Sequence, residues 1–157
     1  MEEKKKGEIK IMDIIDVVCA IIIKNNMILA TDKDDSNENQ GLWFFPGGKI
    51  DESESHEECL RRHVETKIGL KVNLTESLPS YDVEIDRKGK VYRMHPYIAE
   101  IENDAVILES QARSEWFMPI QLMRLAWSKT DLPIVEEIID RIIKTGHITK
   151  ARACVAI

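Results

Sequence analysis

The first apolar runs of the chain alternate with polar turns in a way that predicts a β-hairpin. Residues 17–24 (VVCAIIIK) are rich in β-branched side chains, which favour strands. The polar KNN at 24–26 is a turn signal, and MILAT at 27–31 is a second apolar run. We therefore predict a hairpin over residues 14–31, followed by a loop over the polar stretch 32–40 (DKDDSNENQ).

Two later segments have the pattern of amphipathic helices. Residues 55–68 give the clearest one, because Ser55 is suited to cap its start and Gly69 to end it. Residues 132–144 carry isoleucine and valine three and four positions apart, and Gly146 follows them. We predict one helix for each segment.

The remaining apolar segments predict strands. The aromatic stretch 41–49 (GLWFFPGGK) predicts a short strand that Pro46 and a turn at Gly47–Gly48 bring to an end. Residues 72–85 and 90–101 predict two strands around the turn sequence DRKGK.

The order of these elements indicates an α/β domain with a mixed sheet between helical layers. A short strand over 115–118 and a short helix over 119–125 complete the pattern. We predict a polar tail over residues 1–10, one domain over 11–146, and a tail or edge strand over 147–157.

Composition and charge narrow the class of protein. The 157 residues are 43% apolar and 32% charged, as in ordinary globular domains, and the net charge is −6. This acidic balance argues against a nucleic acid or membrane partner, because both attract a basic face. With no apolar signal core, and three widely spaced cysteines that we interpret as reduced thiols, we predict a cytoplasmic protein. The oligomeric state is not predicted.

The stretch GGKIDESESHEECLRRHVETKIGL, residues 47–70, resembles the Nudix box, G-x5-E-x7-R-E-U-x-E-E-x-G-U with U a bulky aliphatic. The matching structural positions are Gly48, Glu54, Arg62 and Gly69. The lead-in GLWFFPGGKI and the later EWFMP and LAWSKTDLPIVEEI are similar to segments of MutT-like nucleoside triphosphate pyrophosphohydrolases. The similarity therefore runs from about residue 14 to residue 144.

The resemblance implies a Nudix-type α/β/α sandwich and a ligand that is a nucleotide or another nucleoside diphosphate-X compound. It implies that box glutamates bind a divalent metal, which activates water for attack at phosphorus. It also implies substrate-binding roles for Gly47, Gly48 and Lys49, and for Asp131, which stands where relatives read the base. The alternative interpretation of Asp131 is a helix N-cap.

This sequence departs from the family pattern at the three metal-binding glutamates, which are replaced by His63, Thr66 and Lys67. A divalent ion about 4 Å from one carboxylate gains on the order of 8 kcal/mol at an effective dielectric near 20, and an ammonium reverses the sign of that interaction. We therefore expect no metal ligands in the usual form. Lys67 becomes a candidate phosphate contact, and the alternative is a solvated lysine at the helix end.

A helical projection indicates that the neighbouring acids of the predicted helix do not take the place of the replaced glutamates. Glu57 and Glu58 point away from the arc of the replaced positions and are spaced to pair with Arg61 and Arg62. Glu109 lies next to the position where many relatives have a further acid, so it joins His63, Thr66 and Lys67 as a catalytic candidate.

Three hypotheses follow. The first is a nucleotide-binding Nudix domain that no longer hydrolyses its ligand, or does so feebly. The second is a divergent Mg²⁺-dependent pyrophosphohydrolase that uses acids outside the box, such as Glu109 or those of the 32–40 loop. The third is an interaction module that has kept the fold and does not bind nucleotides.

Overall fold

The computed structural model describes residues 13–32, 41–102 and 113–148. The strands are β1 (Asp13–Lys24), β2 (Met27–Asp32), β3 (Gly47–Lys49), β4 (Val72–Ser77), β5 (Tyr81–Glu84), β6 (Lys90–Ile101) and β7 (Arg113–Phe117). The α-helices are α1 (His56–Ile68) and α2 (Leu132–Thr145), and a 3₁₀ segment spans Pro119–Arg124.

The strands form one mixed sheet. Its central order is β4-β6-β1-β2-β7, with β3 paired to β1 and β5 paired to β6. β1 and β6 run parallel from the Asp13–Lys90 pair to the Ile23–Glu100 pair. The other pairings are antiparallel. This confirms the mixed sheet that the order of elements predicts.

The predicted hairpin is present as β1 and β2. Asn25 and Asn26 join the strands with φ angles of 53° and 64°. Two consecutive positive φ angles define the tight turn whose twist matches that of a hairpin, and asparagine tolerates this region better than most residues. The local sequence is therefore enough to set this turn.

Alternation of side chains along β1 divides the core into two layers. Val18, Ala20 and Ile22 pack on one side of the sheet with the apolar stripe of α1. Cys19 and Ile21 pack on the other side with α2 and the 3₁₀ segment. The result is the predicted α/β/α sandwich, because successive strand residues face opposite ways. Each fully buried aliphatic side chain in these layers contributes roughly 1.5–3 kcal/mol.

Helix α1 begins and ends at the predicted residues. Ser55 accepts a hydrogen bond from the Glu58 amide, and the Glu58 carboxylate accepts one from the Ser55 amide, which is a complete capping box. Gly69 ends the helix with φ 84°. Glu58 is thereby committed to the cap, so its predicted pairing with Arg62 is wrong. The other predicted pair, Arg61 with Glu57, is present at 3.1 Å.

Two strand predictions are corrected. Trp43 and Phe44 make only isolated bridges, and the strand is Gly47–Lys49 itself, where we predicted a turn. A Cβ at Gly47 would collide with the Val18 carbonyl, so glycine is what allows this close pairing with β1. The predicted strand 72–85 is two strands, β4 and β5, both paired to β6.

The predicted tails, 1–10 and most of 147–157, lie outside the described residues, and the domain boundaries stay a prediction. Within the described part of the chain, no helix combines the length and apolarity needed to cross a membrane.

Candidate functional site

A cavity of about 370 Å³ opens where β3 meets β1 and the end of α1. Its walls come from distant parts of the chain. Its lining includes Gly47, Gly48, Lys49, Lys67 and Asp131, which are the residues that the sequence analysis assigned to substrate binding. The fold therefore brings all five to one cavity, although four of them lie on β3 and α1 and Asp131 lies next to α2.

Lys67 forms one wall of this cavity through a contact with the backbone of β3. Its Nζ donates a hydrogen bond to the Gly47 carbonyl oxygen at 2.8 Å. The side chain is half-buried rather than extended into solvent. The interpretation of Lys67 as a solvated residue at the helix end is therefore wrong, because its ammonium is bound to β3.

His63 packs one turn earlier on the same face of α1. Its Nε2 lies 3.2 Å from the Lys49 carbonyl oxygen, and its ring covers Gly48 so closely that a Cβ there would overlap it. Burial is the main cause that lowers the pKa of His63 below 6.5, and the bond to Lys49 acts in the opposite direction. The ring is therefore neutral at pH 7, and Nε2 must carry the hydrogen, because a carbonyl only accepts.

Cys59 extends this row by a further turn. Its Sγ donates to the same Lys49 carbonyl at 3.3 Å. Burial, followed by the charge of Glu54, raises the pKa of the thiol, so it keeps its hydrogen. Cys59, His63 and Lys67 thus present three donors at i, i+4 and i+8 toward the carbonyls of β3. We call these three residues the donor row.

The sequence analysis interpreted Cys59 only as one of three reduced thiols, and it treated His63 and Lys67 as separate candidates. Their helical spacing and shared donor chemistry are the signal that would have grouped them. Thr66, the other replaced position, is exposed and does not line the cavity.

Glu54 and Arg62 brace the loop that joins β3 to α1. Arg62 donates from Nε to Oε2 of Glu54 at 2.6 Å and from a terminal nitrogen to Oε1 at 2.8 Å. This bidentate bond is the main cause that lowers the pKa of Glu54 from 4.5 to about 2. It is the pairing that the family resemblance implies, and it fixes the loop against the helix.

Asp131 also lines the cavity and is 3% exposed. Its Oδ2 accepts a bond from the Phe45 amide at 2.7 Å, and its Oδ1 accepts one from the Thr130 hydroxyl at 2.7 Å. Burial raises the pKa of the carboxyl to about 6. Asp131 is also the N-cap residue of α2, as the alternative interpretation has it, but its side chain makes no cap hydrogen bond to the first turn.

Lys49 and the aromatic ring of Tyr92 also line the cavity. Lys49 Nζ lies 5.8 Å from the centre of the Tyr92 ring, within cation–π distance, and both residues line the cavity. The sequence analysis did not single out Tyr92. Tyr92 lies on β6, the strand paired with β1, and no local pattern in the sequence indicated that it would line the cavity.

Some candidates cannot be placed. Glu109 and residues 33–40 lie outside the described residues. Within the described ranges, no group of three or more histidine, cysteine or acidic side chains is arranged to hold a metal ion.

A mixed sheet between two helical layers, with a cavity beside a Gly-Gly strand and a braced loop, is the α/β architecture that the family resemblance implies. A model of the NUDIX domain matches residues 14–138, and the chain belongs to this family. This confirms the resemblance.

Known proteins agree with this assignment. The chain is 27% identical to the CTP pyrophosphohydrolase of Escherichia coli strain K12 over 126 residues, covering 80% of this chain and 91% of that protein. The fold is similar to the solution structure of the E. coli ORF135 protein, with TM-score 0.72, 23% identity and coverage of 83% and 91%. It is also similar to the MutT NUDIX hydrolase from Burkholderia pseudomallei, with TM-score 0.68, 21% identity and coverage of 79% and 97%.

Proposed function

We propose that this chain is a nucleotide-binding Nudix domain in which metal-dependent hydrolysis is lost or feeble. The observation that carries the proposal is the bond from Lys67 Nζ to the Gly47 carbonyl at the cavity wall. The ammonium of Lys67 donates a hydrogen bond to this backbone oxygen beside α1. The family pattern has a carboxylate at the position of Lys67.

The chemistry of the donor row does not suit a divalent ion. Mg²⁺ selects oxygen ligands and usually one or two carboxylates. The donor row instead presents a thiol, a neutral imidazole N–H and an ammonium, and all three already donate to backbone carbonyls. A dication near Lys67 would also meet like charge, at a cost of the same order as the attraction to a carboxylate.

The remaining walls support a nucleotide or nucleoside diphosphate-X ligand. Lys49 and Lys67 line the cavity and supply cationic groups. Asp131 and Phe45 also line it, and the Phe45 ring stacks on Trp127 with 4.6 Å between the ring centres. Cationic groups suit a phosphate, and a buried polar and aromatic surface suits a base. A cytoplasmic location, and a role without a nucleic acid or membrane partner, belong to the same proposal.

The relative that acts on CTP supports the nucleotide class but does not fix the base, because identity to it is only 27%. The alternative function is a divergent Mg²⁺-dependent pyrophosphohydrolase with acids from outside the donor row, such as Glu109. The experiment below separates it from our proposal.

Purified protein is titrated calorimetrically with nucleoside mono-, di- and triphosphates of each base, once with excess EDTA and once with Mg²⁺. Release of phosphate and pyrophosphate is followed in parallel. We expect binding that survives EDTA and turnover at or near the background rate. Binding that requires Mg²⁺, together with turnover, would establish the alternative, and absence of binding to every nucleotide would leave an interaction module.

A pair of matched variants tests the role of Lys67. Lys67→Met removes the ammonium at the cavity, and we expect nucleotide affinity in EDTA to fall about tenfold or more. Lys129→Met is the control, because Lys129 Nζ also donates to a backbone carbonyl, that of Glu84 at 2.9 Å, but does not line the cavity. Equal affinities in the two variants would remove Lys67 from the binding site.

A further inference from the structure

A second cluster of titratable side chains lies beneath the first turn of α1 and does not line the cavity. It consists of two neighbouring imidazoles, His56 and His95, with Tyr97 and Asp16 at its two ends. The ring centres of the histidines are 4.5 Å apart and their planes are tilted by 48°. Neither the Nudix box nor the proposed function uses these residues.

His56 connects the helix to the sheet. It is the first residue of α1, and its Nδ1 lies 2.7 Å from the Tyr97 hydroxyl on β6. The Tyr97 ring also meets the imidazole edge to face, at 5.8 Å between centres. The start of α1 is therefore fixed to β6 through one side chain.

His95 holds the carboxylate of the cluster. Its Nε2 donates to Asp16 Oδ1 on β1 at 2.8 Å, and its Nδ1 lies 2.9 Å from the Ser80 hydroxyl. The Asp82 carboxylate on β5 also interacts electrostatically with His95, but it is hydrogen-bonded to Arg93. Among the contacts of the described residues, the acid in the cluster is thus bonded to His95 and not to His56.

A proton on His56 is unfavourable for three reasons. Burial removes water from the ring, and the neighbouring His95 repels a second charge; both lower the pKa of His56 below 6.5, while the more distant Asp16 acts in the opposite direction. The N-terminal end of a helix also disfavours a cation, because its free amides point outward there. On α1 itself the next charged side chain, Glu57, is paired with Arg61.

We propose that His56 and His95 form an acid-sensitive latch that holds the first turn of α1 on the sheet at neutral pH. Protonation of His56 against the neighbouring ring opens the latch and loosens the segment 50–55, which joins the β3 wall of the cavity to α1. The Glu54–Arg62 brace lies in this region, so opening of the latch reaches the cavity wall through that loop. Acidification thereby reaches the cavity wall from side chains that do not themselves line the cavity.

The direction of the pH dependence follows from linkage. The folded protein binds the His56 proton less readily than the unfolded chain does. The latch therefore stabilises the fold fully above the unfolded pKa of about 6.5. This stabilisation is lost as the pH falls below that value.

The test compares wild type, His56→Asn and His147→Asn by urea unfolding at half-unit steps from pH 8 to pH 5. Asparagine places a polar atom near the position of Nδ1 but does not titrate. His147, beyond the end of α2, is a control histidine outside the latch. We expect the urea midpoint of wild type and His147→Asn to fall on acidification more than that of His56→Asn. Equal falls in all three proteins would overturn the proposal.

A second measurement does not depend on any variant folding. Histidine ring and backbone amide resonances of the wild-type protein are followed by NMR over the same pH range. We expect the ring signal of His56 and the amides of Glu57 and Glu58 to change with one common midpoint below pH 6.5. Titration of the His56 ring with no change at those two amides would show that protonation does not move the helix, and the latch would be rejected.

Discussion

The Nζ of Lys67 lies 2.8 Å from the carbonyl oxygen of Gly47, a residue twenty positions earlier in the chain. Helix α1 is thus joined to β3 by a direct hydrogen bond from a cation. In a box with glutamate at this position, two acceptors would face each other and a cation would have to lie between them. The replacement of glutamate by lysine removes that need.

Restoring the three box glutamates should make the stability of the protein depend on a divalent metal ion. We expect His63→Glu/Thr66→Glu/Lys67→Glu to be less stable than wild type in EDTA, by about 1–3 kcal/mol for each carbonyl left without its donor. Mg²⁺ should recover part of this loss in the variant and leave wild type unchanged. Thermal unfolding with and without Mg²⁺ measures both effects.

The control for this variant is Glu57→Lys/Glu65→Lys, which changes charge on the exposed face of α1. Its melting temperature should not respond to Mg²⁺. If the triple variant also fails to respond, the backbone of β3 and its loop no longer has the geometry for a metal.

The packing of His63 on Gly48 predicts a rescue. Gly48→Ala should destabilise the protein by roughly 1–3 kcal/mol, because the new methyl group overlaps the imidazole ring. The double variant Gly48→Ala/His63→Ala should recover most of this loss, since the obstructing ring is gone. A double-mutant cycle from urea unfolding gives the coupling energy.

Gly47→Ala provides the contrast. Its methyl group would collide with the backbone of Val18 and Cys19 rather than with a side chain. His63→Ala should therefore not rescue it, and comparable rescue of both glycine variants would argue against a specific contact between Gly48 and His63.

The Glu54–Arg62 pair predicts a loss of stability in acid. Because the folded pKa of Glu54 is about 2, against an ordinary value of 4.5, the pair stabilises the protein above pH 4.5. This contribution is lost as the pH falls from 4.5 toward 2. Glu54→Gln should flatten that part of the stability profile, measured by urea unfolding. Glu57→Gln, which breaks the exposed pair with Arg61, should leave the profile close to that of wild type.

Asp131 predicts the opposite slope. Its pKa rises from 3.8 to about 6 on folding, so the folded protein holds the proton more tightly. Its contribution to stability is fully present below pH 3.8 and declines as the pH rises through 6. Asp131→Asn should keep an acceptor for the Phe45 amide and abolish this decline, as followed by the urea midpoint between pH 4 and 7.

Asp131→Ala separates titration from hydrogen bonding. It leaves the buried Phe45 amide without its acceptor and should cost about 1–3 kcal/mol at every pH. If the alanine and asparagine variants are equally stable, the bond to Phe45 does not support the cavity wall.

The elements whose signals are local could be predicted from the sequence. The Asn25–Asn26 turn, the Ser55 capping box and the glycines that end both helices depend on residues within a few positions of one another, so they were predicted correctly. The Nudix fold followed from the ordered box positions. The chemical change at the box was also evident, because it lies in the identity of three side chains.

The contacts that those side chains make form only when the chain has folded. The bond from Phe45 to Asp131 spans 86 positions, and no periodic pattern reports such a contact. Likewise, Gly47–Gly48 became a strand because β1 lies alongside it, which overrides the local preference of glycine for turns. The three side chains of the donor row share one role only because β3 places backbone carbonyls within hydrogen-bond distance of them. Contacts of this kind depend on which surfaces meet after folding, and that is fixed by the packing of the whole chain.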